Sequence, residues 1–103
     1  MNVPDVFRYI VMGVLNDELD QYSDLDSFFL DHVRDYISKR PGNVQELHRF
    51  VTDVLASHPS DQQLRDIWFT DHVFVYFTPY GARLAFEAIR DACARLMREG
   101  EAA

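Results

Sequence analysis

The sequence predicts an all-α fold, a compact bundle of four to five helices with one short extended segment near residues 73–77. Three observations carry that prediction. Apolar residues recur at a period close to 3.6 over almost the whole chain, the spacing that lines one face of a helix. Helix punctuation falls between the periodic stretches, with Ser23, Asn43, Ser60 and Thr78 at starts and Pro41, Gly42 and Pro59 at breaks. The chain has 103 residues, 48% of them hydrophobic, which is enough for a core without disulfide or metal staples. Residues 1–103 therefore read as a single helical domain.

The first helix is expected from about residue 3 to 15, with Val3, Val6, Phe7, Ile10, Val11, Val14 and Leu15 on one face. The second reads from about 24 to 39. Ser23 is its expected N-cap, and Asp26 follows where a carboxylate suits the positive end of the helix dipole. Its apolar arc is Leu25, Phe29, Leu30, Val33, Tyr36 and Ile37. Arg40-Pro41-Gly42 ends it, because proline cannot continue the hydrogen-bond ladder. The third helix starts at Asn43, with Glu46 at capping-box spacing, and turns Val44, Leu47, Phe50, Val51, Val54 and Leu55 inward. It stops at Ser57-His58-Pro59. Ser60 and Gln63 then open a short helix carrying Leu64, Ile67 and Trp68. Residues 73–77, β-branched and aromatic throughout, suit an extended segment. Thr78-Pro79 reads as an N-cap and first-turn proline. The last helix runs to about Arg98 with Ala85, Phe86, Ile89, Ala92, Cys93 and Leu96 inward, and residues 99–103 read as a frayed tail.

Charge is unevenly spread. The first 38 residues hold 8 acids and 2 bases, whereas the remaining 65 hold 9 and 8, so the net charge of −7 sits almost entirely in one part of the chain. Residues 17–35 alone carry Asp17, Glu18, Asp20, Asp24, Asp26, Asp31 and Asp35 against a single base, Arg34. Such a field attracts a basic partner and repels nucleic acid and anionic membrane. Eight Phe and five Tyr exclude a disordered acidic tail. One cysteine makes no internal disulfide, which suits a reducing cytoplasm. The start, MNVPDVF, has no basic stretch ahead of an apolar one, so no signal peptide is expected, and no apolar run approaches the ~20 residues of a membrane span.

No catalytic motif is visible. None of the four histidines lies three or four residues from another, so neither metal nor cofactor is expected. Cys93 falls mid-arc in the last helix, the setting of a buried structural thiol. The four glycines are scattered at 13, 42, 81 and 100 and form no phosphate loop. The chain is not expected to be an enzyme. Projected at 100° per residue, the second helix gathers Asp24, Asp31 and Asp35 into one stripe, with Phe28 beside it and away from the apolar arc. An aromatic among acids is expected to be partly exposed and to anchor an interface. On the last helix, Arg83/Glu87 and Asp91/Arg95 have i,i+4 spacing and read as a solvated face. Trp68, Tyr76 and Tyr80 read as core aromatics, with some of that cluster left facing solvent.

Four pieces, DELDQYSDLD (17–26), FLDHVRDYI (29–37), ELHRFVTDVLASHPSDQQLRDIW (46–68) and YGARLAFEAI (80–89), lie in an order that resembles the small immunity proteins of bacterial contact-dependent growth-inhibition systems. The resemblance implies a cytoplasmic inhibitor that binds the C-terminal toxin domain of a large secreted effector, an RNase or DNase, and blocks its active site. Under that expectation the partner-binding residues are Asp17, Glu18, Asp20, Tyr22, Asp24, Phe28, Asp31 and Asp35, the carboxylates standing where a basic nuclease binds phosphates. The alternative is a small helical adaptor or dimerising regulator without catalytic activity, whose exposed aromatics serve self-association.

Overall fold

The periodic stretches fold as helices. The computed structural model describes residues 3–14, 23–37, 43–69 and 78–102. Among them lie α1 (Asp5–Met12), α2 (Leu25–Ile37), α3 (Asn43–Ala56), α4 (Asp61–Trp68) and α5 (Pro79–Ala102), and no strand. The extended segment expected near 73–77, Tyr76 within it, and the Arg40-Pro41-Gly42 break lie outside the described residues.

Two helix starts form as their sequences dictate. At α4, Ser60 Oγ accepts from the Gln63 amide at 3.1 Å while Gln63 Oε1 accepts from the Ser60 amide at 2.8 Å, a complete capping box. At α5, Thr78 Oγ1 accepts from the Gly81 amide at 3.0 Å, and Pro79 occupies a first-turn position that needs no N–H. The start of α2 differs from expectation. Asp24, not Ser23, is the cap, and its Oδ1 accepts from the Ser27 amide at 2.7 Å. The helix consequently begins at Leu25.

Other boundaries move for identifiable reasons. α1 is shorter than the 3–15 span: Pro4 (φ −68°, ψ 151°) is extended before its first turn, and the helix closes at Gly13, whose amide donates to Tyr9 O at 3.1 Å. α5 is longer. It continues to Ala102 instead of ending near Arg98, because Glu99 accepts two hydrogen bonds from Arg34 of α2, at 3.0 and 2.8 Å, and lies 3.4 Å from Arg95. Glu99 is thereby tied to a neighbouring helix, and the helix runs on through Ala102. At the end of α3, His58 takes a left-handed conformation (φ 55°), and the Ser57 amide bonds Asp53 O at 3.2 Å.

α5 is the central element, packing against α2, α3 and α4, while α1 lies over α3 and α2. Its buried Ala82, Ala85, Ala88 and Ala92 let the neighbours come close, and Phe86, Ile89 and Cys93 fill the space between. Trp68, 1% exposed, meets the ring edges of Phe29, Phe7 and Phe86 at centroid distances of 6.2, 6.3 and 6.5 Å. The i,i+4 pairs expected on α5 are replaced. Arg83 instead reaches Asp61 at the start of α4 and donates to Pro59 O at 2.6 Å, Asp91 pairs with Arg90, and Arg95 with Glu99.

Candidate functional site

The acidic stripe of α2 is the candidate site. Phe29 and Val33 turn inward, so the opposite side of the helix, with Asp31 and Asp35, faces solvent. Asp24 is exposed too, but its carboxylate is engaged as the helix cap. The Ser27 amide, helped by the Ser27 hydroxyl at 3.2 Å, holds it below the ordinary carboxylate range. Arg34, the only base in this stretch, is held bidentately by Glu99, and that hydrogen bonding in turn holds the Glu99 carboxyl below its ordinary value. Asp17, Glu18, Asp20 and Tyr22 lie outside the described residues.

Phe28 is not where the projection put it. The residue is buried, 2% exposed, and belongs to the core. The cause is the end of α1, which covers this flank of α2. His32, one turn on from Phe28, donates Nε2–H to the Ile10 carbonyl at 2.9 Å, and the Phe28 ring stacks on His32 with centroids 5.4 Å apart and planes 15° apart. α2 is thus buried against α5, α1 and α3, and its apolar arc is wider than one partner would require. The expectation of an exposed anchor at Phe28 is corrected accordingly.

Gly13 makes that close approach possible. A Cβ at this position would stand 3.0 Å from His32 Cε1, 3.3 Å from His32 Nε2 and 3.3 Å from Tyr9 O. The aromatics that do reach solvent are others. Tyr9 is 52% exposed and its ring stacks on that of Tyr36 at 6.2 Å, while Met12 on the same helix is 41% exposed. Their signal was present in the sequence: both are apolar residues off the Val6/Phe7/Ile10/Val11 face of a short helix. Tyr80 and Leu84, at 62% and 39%, project from the start of α5.

Two grooves accompany these features. One of about 270 Å³ lies between α2 and α5, lined by Leu30, Ala88 and Ala92 together with Asp26, Asp91 and Arg95. The other, of about 340 Å³, lies at the α3–α4 elbow among Val54, Ser57, Pro59, Gln63, Asp66 and Ile67. Among the described residues no three His, Cys, Asp or Glu side chains converge as metal ligands, and no helix is long and apolar enough to cross a membrane. Burial pushes the Cys93 thiol up to about 12, so it stays protonated and makes a poor nucleophile. No protein-family model, curated protein or solved structure matches the chain.

Proposed function

We propose that this chain is an immunity protein, a cytoplasmic stoichiometric inhibitor that binds a basic toxin domain, an RNase or DNase at the C-terminus of a secreted effector, and blocks its active site. The observation that carries the reading is the concentration of acid. The first 38 residues hold 8 acids against 2 bases, and Asp31 and Asp35 stand exposed on α2 while the bundle takes up its opposite face. The order of the four sequence pieces described above supports it as well. The inhibitor works by occlusion and performs no chemistry of its own. Carboxylates steer the encounter and cover the groove in which the toxin binds phosphates.

The test is co-production with the toxin domain encoded next to the gene. Growth should be rescued, and the two proteins should co-purify one to one. Changing Asp31 and Asp35 to lysine should slow association more than it hastens dissociation, and should flatten the salt dependence of the rate. Unchanged association at low salt would reduce the stripe to a solubilising surface. A second reading, a dimerising regulator or adaptor, is favoured by Tyr80 and Leu84, exposed one turn apart on α5. Sedimentation of the free protein separates the two, since a dimer lost on Tyr80→Ala would support the second.

A further inference from the structure

We infer that the seam between α1 and α2 is a docking surface for a basic protein, with Tyr9 and Met12 as its apolar centre and Asp31 and Asp35 as its charged rim. The inference rests on the toxin-neutralising reading for the partner's identity; the surface itself is argued from geometry. Tyr9 and Met12 are about half exposed although both are largely apolar, and they lie on the outer face of α1, which packs against the helix that carries Asp31 and Asp35. Passing round α2 from Tyr36, which stacks on Tyr9, one meets His32 and Phe28 under α1, and then the exposed Asp35 and Asp31. Apolar centre and acidic rim therefore share one continuous face, the arrangement of a protein–protein interface.

The face is also held together across the seam. The Tyr9 ring stacks on Tyr36, and the His32 hydrogen bond to Ile10 O joins α1 to α2 where Gly13 lets them meet. A ring held before binding loses little rotamer entropy on association, which is why fixed aromatics make efficient anchors. Charge selects the occupant. Among the described residues, the exposed charged side chains of α1 and α2 on this side are Asp5, Arg8, Asp31 and Asp35, three acids to one base. A second copy docking about a two-fold axis would bring this balance against itself, and like-charge juxtaposition costs affinity. A nucleic acid is repelled for the same reason. A protein surface with an apolar centre and Lys/Arg around it is complementary.

The experiment uses the full chain, isotope-labelled, titrated with a synthetic amphipathic helical peptide that carries lysines on one face and leucine and phenylalanine on the other. The amide signals of Tyr9, Met12, Asp31, Asp35 and Tyr36 should shift most. The double variant Tyr9→Ala/Met12→Ala should bind roughly tenfold or more weakly, as loss of an interface anchor does, with its melt measured on the same sample. Shifts centred elsewhere, wild-type affinity in the double variant, or a wild-type dimer that the double variant dissolves would each overturn the inference. The same variants, tested against the toxin domain encoded beside the gene, separate the two proposals. Neutralisation untouched by Tyr9→Ala/Met12→Ala removes the surface and leaves the immunity reading. Peptide docking on the seam without neutralisation of that toxin removes the immunity reading and supports the surface.

Discussion

Phe28 and Gly13 owe their roles to the same meeting of α1 with α2. Phe28 sits under α1 against His32, so Phe28→Ala should destabilise the fold by roughly 3–5 kcal/mol, the usual range for a buried phenylalanine, as a fall in denaturation midpoint. A variant that melts like the wild type would contradict the burial. Gly13→Ala puts a methyl group 3.0 Å from His32 Cε1 and should cost roughly 1–3 kcal/mol through overpacking. In a His32→Ala background the same change should cost far less, so a double-mutant cycle isolates the contact. His58 presents the opposite case. It holds φ 55° with a Cβ that disfavours it, and His58→Gly should stabilise by about 0.5–1 kcal/mol, read as a raised midpoint. Of these three sites only the α3 stop at Ser57-His58-Pro59 was legible in the sequence. Gly13 gave no local signal, because its constraint comes from a histidine on another helix. Phe28 was misread because a helical wheel measures one face against one partner, whereas α2 has several, and α1 covers the flank that carries Phe28.

At the scale of the element, local chemistry carried the reading well at α4 and α5 and missed by one residue at α2, where Asp24 and not Ser23 is the cap. Ser60 with Gln63 and Thr78 with Pro79 start α4 and α5 as their side chains require, and Ser60→Ala should cost about 1 kcal/mol of stability. Ends set by distant partners were not legible. The continuation of α5 depends on Arg34, far away in sequence, and Arg83 leaves its i,i+4 partner for Asp61 across a helix boundary. Two helix termini, one capped locally and one held from a distance, respond to acid. Asp24, held down chiefly by the Ser27 amide, and Glu99, held down chiefly by hydrogen bonding from Arg34, both titrate below their ordinary values of 3.8 and 4.5 when folded. A depressed carboxyl contributes stability that is complete above its unfolded pKa and is lost as pH falls through its folded value. The denaturation midpoint should therefore drop as pH falls below about 4. Asp24→Asn keeps an oxygen for the cap and should weaken that acid-side dependence without greatly changing the midpoint at neutral pH. An unaltered acid slope in both Asp24→Asn and Glu99→Gln would place the dependence in other carboxyls.

For the whole molecule, a radius of gyration of 12.8 Å matches the roughly 13 Å of a closed globule of this length, so the helices enclose one core and do not string out as an open array. Far-ultraviolet circular dichroism should be strongly helical and the melt cooperative, unchanged by a chelator. Much of each helix's buried face was legible in the sequence, because periodicity reports it directly, with Phe28 of α2 the exception. The candidate site was less so: its acids are plain in the composition, yet which aromatics stand beside them depends on how α1 crosses α2. One consequence of the central helix reaches beyond binding. Cys93 is fully buried at the middle of α5, which packs against α2, α3 and α4 and meets α1 through Phe86, so fraying at one end of the bundle does not uncover it. The chain's only thiol is thus a clock for global unfolding. Its rate of modification by a thiol reagent should equal the rate for an open cysteine multiplied by the fraction of molecules unfolded at that instant. The logarithm of that rate, plotted against denaturant, should rise with the slope of the equilibrium melt, so that stability can be timed in dilute samples, or beneath a bound partner, without melting the protein.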